Sequence, residues 1–160
     1  MIDTIFIESK KLNTSILLKV ITPEWGVSQS LMILLHGKMC PEMCKELLDR
    51  FPEELALQEL SNRFGMAIVI PLLPNRYYIS AEDYDCNGFV AEELPSFMRK
   101  KYGISDEAEQ ILGGISMGGF GAVLIGALTG AFRKIISVSG AFIARDVAIG
   151  NPEVWGTFLP

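Results

Sequence analysis

Residues 113–121 read GGISMGGFG, one serine, Ser116, set among five glycines. The apolar residues before it read as a strand over 110–115, and the residues after it read as a helix over 118–130. Gly114-Ile115-Ser116-Met117-Gly118 therefore fits G-x-S-x-G in the one context where that pattern has mechanical meaning, a strand-to-helix turn. A serine on so sharp a turn needs a strained backbone, and side chains two residues to either side would collide. Gly114 and Gly118 supply the room. The turn would lift the hydroxyl to the carboxyl end of a sheet, with the first amides of the next helix aimed at any negative charge developing beside it.

Two rival glycine patterns fail. A phosphate-binding P-loop needs Lys and Ser/Thr after its last glycine, where this chain has Gly119 and Phe120 after Gly118. A dinucleotide fingerprint fails because Gly119-Phe120-Gly121 runs on to Leu124.

Outward from this stretch, strand and helix alternate. Residues 4–9 and 14–22 alternate apolar and polar side chains across the turn KKLN, as an antiparallel hairpin does. LMILLHG (31–37), MAIVIPLL (66–73) and KIISVSGA (134–141) are apolar on both faces and read as buried strands. One helix is expected from Pro41 to about Arg63 and another over 87–101, the latter containing Pro95 at some cost unless it is kinked there. After the hairpin this order predicts a mainly parallel α/β sheet with helices on both faces. The 160 residues fit one domain, without repeat or linker.

Composition narrows the function. A net charge of −5 with scattered basic residues argues against nucleic acid, and the short run Arg99-Lys100-Lys101 reads as a helix end. No signal peptide opens the chain, and the apolar stretch 113–132 is too broken by glycine for a membrane span, which predicts no membrane association. Cys40, Cys44 and Cys86 form no C-x-x-C pair, and with one histidine they build no zinc site. Reduced thiols, a cytoplasmic location and no metal or cofactor are the expectations.

His36-Gly37 closes the third strand, LMILLHG, and a loop there can face a serine on a neighbouring strand. The backbone N–H groups of Lys38 and Met117 are the two predicted oxyanion donors, neither depending on its side chain. At this point the chain resembles a family. LLHG, AIVIPLLPN with a tyrosine-bearing loop, DYDCNGFVAEELPSFM, GGISMGGFGA and SVSGAF occur in this order in esterases of the esterase D type. That group includes tributyrin esterases, S-formylglutathione hydrolases and feruloyl esterases, and the resemblance runs over about residues 4–142.

The resemblance implies an α/β-hydrolase fold and a Ser-Asp-His triad in that chain order. Ser116 would be the nucleophile, the Lys38 and Met117 amides the oxyanion hole, and His36, Gly37, Gly114 and Gly118 the structural residues around it. Asp83, Tyr84, Glu92 and Glu93 match segments read as structural. The chain departs from the pattern after HG, where Lys38-Met39-Cys40 replaces small or glycine-bearing residues.

The base is the difficulty. Serine needs a base to take its proton, and the one histidine, His36, stands eighty residues before Ser116 at the oxyanion turn. The carboxylates after Ser116 are Asp146 and Glu153, both too soon after the strand 134–141 for the acid position of this fold. The expectation is a domain over 1–160 that is incomplete at its C-terminal side, lacking acid and histidine, as part of a longer polypeptide in preference to a natural pseudo-enzyme or a half completed by another chain, with an exposed sheet edge through which a second copy could associate. Its function would be hydrolysis of a small carboxylic ester or thioester through an acyl-enzyme on Ser116. Acyl transfer to an alcohol and a non-catalytic interaction module are the alternatives.

Overall fold

The computed structural model describes residues 1–26, 28–39 and 44–142. Cys40, Pro41, Asp146, Glu153 and the apolar finish of the chain lie outside the described residues. Strands β1 (Ile2–Ser9) and β2 (Thr14–Ile21) form the expected antiparallel hairpin, in register from Ile2 opposite Ile21 to Ser9 opposite Thr14. Strands β3 (Ser30–Leu35), β4 (Met66–Pro71), β5 (Glu109–Ile115) and β6 (Lys134–Val138) run parallel to one another. The sheet order is β1-β2-β4-β3-β5-β6, with β2 antiparallel to β4. This places β3 and β5, which carry His36-Gly37 and Ser116 at their carboxyl ends, side by side in the middle.

Alternate residues of the inner strands feed two cores. Leu31, Ile33, Leu35 and Val69 join one cluster with Phe89, Leu94, Met98 and Ile125, while Leu34, Ile68 and Ile70 join a second with Leu48 and Leu57. Strands apolar on both faces are thus covered on both faces, each large side chain contributing about 1.5–3 kcal/mol on burial.

Three expectations need correction. The helix expected over 41–63 is two helices, α1 (Cys44–Glu54) and α2 (Leu57–Phe64), separated where Ala56 takes left-handed angles, φ 48° and ψ 39°. The irregular apolar spacing fits no single straight face. The bend brings Leu48 and Leu57 into the same core and leaves Leu60 exposed. The segment with Pro95 is helical, but not uniformly so. A short turn, α3 (Cys86–Gly88), leads through a π-helical turn, Phe89–Glu93, into α4 (Leu94–Tyr102). Leu94 N–H donates to the carbonyl of Phe89, five residues back, and this wider turn accommodates the proline ring and its missing donor.

The third correction concerns β6, expected to be buried and found exposed at all five residues. Its one strand partner among the described residues is β5, which leaves its outer edge open.

The residues read as structural around the helix 86–102 tie it to the hairpin. Glu93 accepts from the Ser9 hydroxyl at 2.5 Å and from Lys10 N–H at 2.8 Å. Lys11 Nζ lies 3.0 Å from Asp85 and 3.3 Å from Glu92, while Asp85 also accepts from Gly88 N–H at 2.8 Å. Asp83 contributes its carbonyl to Asn13, and Tyr84 is buried in the core. The bond from the buried Ser9 hydroxyl to the Glu93 carboxylate is charge-assisted, a class that contributes about 1.5–3 kcal/mol. Glu93→Ala is expected to lower unfolding stability by roughly 2 kcal/mol with an unchanged denaturant slope, measured by urea titration.

Candidate active site

Ser116 joins β5 to α5 (Met117–Thr129) with φ 55° and ψ −115°, angles that a side-chain-bearing residue adopts only under constraint. The constraint is visible on both sides. Ser116 N–H donates to Val138 O of β6 at 2.9 Å, and Ser116 O accepts from Ala141 N–H at 3.0 Å and Phe120 N–H at 3.1 Å. The chain turns so tightly that a Cβ on Gly114 would lie 2.0 Å from the carbonyl oxygen of Gly118. A Cβ on Gly118 would lie 2.1 Å from Leu35 O of the neighbouring strand. Bare positions here are steric requirements, and they answer why the serine is so surrounded.

Gly37 lies directly across from the serine. A Cβ there would stand 3.3 Å from Ser116 Cβ and 3.9 Å from Ser116 Oγ. Lys38 follows on the exposed side, and Met117, buried, is the first residue of α5, where amides have no carbonyl within the helix to bond. The structure therefore brings Ser116, Gly37, Lys38 and the start of α5 to one rim of the sheet.

His36 is 2% exposed and fully engaged. Leu73 N–H donates to its Nε2 at 3.0 Å, so the ring proton sits on Nδ1, which donates to Gly37 O at 2.6 Å. Tyr78 completes the arrangement, donating its hydroxyl to His36 O at 2.8 Å. Burial pushes the imidazole below its ordinary pKa, with the Gly37 carbonyl acting weakly in the opposite sense. A neutral ring whose Nε2 lone pair is occupied cannot take a proton from serine.

Sequence reasoning missed the segment that holds this loop. Leu73 ends the run read as a buried strand, and Asn75 and Tyr78 follow in the tyrosine-bearing loop. Asn75 Oδ1 accepts from Met39 N–H at 3.1 Å, and Asn75 Nδ2 donates to Met39 O at 2.6 Å. The Pro-Asn pair signalled a turn, but nothing in its spacing signalled a partner at Met39. Tyr77, from the same segment, meets the Phe120 ring edge-on at 5.7 Å, and Phe120 meets Phe142 at 6.0 Å, which lines one side of the serine turn with aromatic surface.

Among the described residues no cluster of His, Cys, Asp and Glu could hold a metal ion, and no helix is long and apolar enough to cross a membrane. Cys86 is buried and unpaired, and burial raises its thiol to a pKa of about 12. It is chemically quiet at neutral pH.

Gly114→Ala is expected to cost roughly 3 kcal/mol or more because the clash is with backbone. Gly103→Ala, left-handed at φ +65° but with nothing within 4 Å, should cost only about 1 kcal/mol in the same urea titrations. The single histidine gives an unambiguous magnetic resonance probe. Its signals should report the neutral Nδ1–H form at pH 7 and a midpoint below the ordinary 6.5. Since the unfolded chain takes up this proton first, the histidine's contribution to stability is present above pH 6.5 and is lost as pH falls.

Comparison with known proteins bears on the fold and the family. The fluorophosphonate-binding serine hydrolase FphF of Staphylococcus aureus superposes with a TM-score of 0.75 at 19% identity, covering 92% of this chain and 60% of its own. The S-formylglutathione hydrolase FrmB of the same organism gives 0.74 at 19% identity, covering 96% and 67%. The fold is that of an α/β-hydrolase. In sequence, an acetyl esterase of Caldicellulosiruptor saccharolyticus is 34% identical over 99 residues, which is 59% of this chain and 37% of that protein. The chain thus spans about a third of the length of this curated relative and about 60–67% of the two solved structures. The family model described as "Putative esterase" matches residues 74–157, more than half of the chain, and the chain belongs to that esterase family.

Proposed function

We propose that this chain is the nucleophile-bearing part of a carboxylesterase-type serine hydrolase acting on a small carboxylic ester or thioester. The observation that carries the reading is the left-handed Ser116 at the β5–α5 junction, facing Gly37 across the sheet rim. Ser116 Oγ attacks the acyl carbonyl while its proton passes to a base. The tetrahedral oxyanion accepts hydrogen bonds from Met117 N–H and Lys38 N–H. Collapse expels the alcohol or thiol, which takes up the proton, and water releases the acid by the same route. Each oxyanion donor is worth about a hundredfold to a thousandfold in rate.

In this reading His36, with both ring nitrogens engaged, is a supporting residue and not the base, and the 160 residues hold no other histidine. The base and its acid partner come from outside these residues, in keeping with the share of each relative that the chain covers. The open edge of β6 is the surface on which further structure or a second copy would add. Buried, unpaired Cys86 is in keeping with a cytoplasmic location. No metal or cofactor enters the scheme.

A fluorophosphonate probe tests the assignment directly. In the full-length protein, labelling is expected at Ser116, located by peptide mass spectrometry, and absent from Ser116→Ala at unchanged thermal stability. Labelling elsewhere, or none at all in the wild type, contradicts the assignment.

A further inference from the structure

Resting on Ser116 as the nucleophile, we propose that Asn75 is a positioning residue that, with His36, clamps Lys38 between two fixed peptides and so holds its N–H on the oxyanion. Two planar peptide units flank Lys38. The unit before it, Gly37–Lys38, carries the donor N–H on one edge and Gly37 O on the other. His36 Nδ1–H holds that oxygen at 2.6 Å, so the trans peptide sends the Lys38 N–H in the opposite direction, away from the ring. The unit after it, Lys38–Met39, contributes Met39 N–H to Asn75 Oδ1 at 3.1 Å. The same amide then donates from Nδ2 to Met39 O at 2.6 Å, gripping both polar backbone groups of Met39.

Between the two anchored units lie the φ and ψ of Lys38. His36 holds the unit before it and Asn75 the unit after it. With Asn75 in place, both ends are fixed.

The clamp also has a firm base. Leu73, Asn75 and Tyr78 reach residues 36 and 39 from one segment, 73–78, whose far end holds left-handed Tyr77 (φ 55°) and Tyr78 (φ 58°). Tyr78 is 1% exposed and packs over α5, where a Cβ on Gly121 would meet its ring at 2.4 Å. Met39, the residue gripped, is itself buried at 4% exposure. The segment therefore ties the donor loop to the helix that begins beside Ser116. This matters in a chain whose loop continues Lys-Met-Cys after the glycine.

The test uses the full-length protein, with turnover of p-nitrophenyl acetate normalised to active sites titrated by a fluorophosphonate. Asn75→Ala removes both bonds. Asn75→Asp retains the acceptor for Met39 N–H but has no donor for Met39 O.

For Asn75→Ala, kcat per titrated site should fall by about tenfold to a hundredfold, less than deletion of a donor costs, with KM within about twofold. Affinity for a trifluoromethyl ketone, which places an oxyanion in the same hole, should fall by the same factor as kcat/KM. Asn75→Asp should lie between Ala and wild type in both measurements. If Asn75→Ala lacks a cooperative melting transition, Asn75→Asp carries the comparison alone. Unchanged kcat per titrated site, a change in KM alone, or ketone affinity that stays constant while kcat falls would each overturn the clamp. A wild type that does not label at Ser116 overturns the serine assignment itself, whereas a labelled wild type beside an unaffected Asn75 variant overturns only the clamp.

Discussion

One residue's backbone carries this structure. Ser116 stands at φ 55° and ψ −115°, a conformation that costs about 1–3 kcal/mol and persists only where its surroundings over-determine it. They do so from several directions. Its N–H is bonded to β6, and its carbonyl receives the loop after β6 and the first turn of α5. Gly114 and Gly118 permit an approach that no side chain would allow, and Leu35 of β3 closes against the latter. Three strands and a helix thus converge on one hydroxyl-bearing residue, and loss of any of them would release the turn.

The sheet order makes the second half of the site available. Because β3 lies beside β5, the loop leaving β3 comes so near the serine that a Cβ on Gly37 would stand 3.3 Å from Ser116 Cβ. That loop is tied to the segment after β4 through a neutral histidine, a tyrosine hydroxyl and an asparagine amide. The histidine is consequently a strut. Its burial and its two filled ring nitrogens suit the supporting role proposed for it beside Ser116 and do not suit a general base.

Much of this was legible in the sequence. Alternation located the two hairpin strands, apolar runs located the other four strands among the described residues, and the glycine spacing around Ser116 located the turn, because all three follow from local sterics. The misreadings share a different origin. Ala56 carries no sequence signal for a left-handed turn, and the division of the helix before β4 is decided by where Leu48 and Leu57 meet the sheet. The π-helical turn ahead of Pro95 is a way of absorbing a proline that composition does not reveal. β6 reads as a buried strand from its own residues, since exposure is a property of its neighbours. Asn75 was invisible for the same reason: its partner, Met39, is thirty-six residues away in the chain, so only the fold brings them together.

The central claim is that the strained turn presents Ser116 Oγ to a carbonyl whose oxygen rests on two backbone amides. The most direct measurement is a crystal structure of the full-length protein after reaction with a small organophosphate. The account predicts a phosphoryl group on Ser116 Oγ with its terminal oxygen about 2.7–3.1 Å from both Met117 N and Lys38 N, and Ser116 still in its left-handed conformation. An adduct whose oxygen points to solvent, or a serine relaxed into ordinary helical angles, would contradict it.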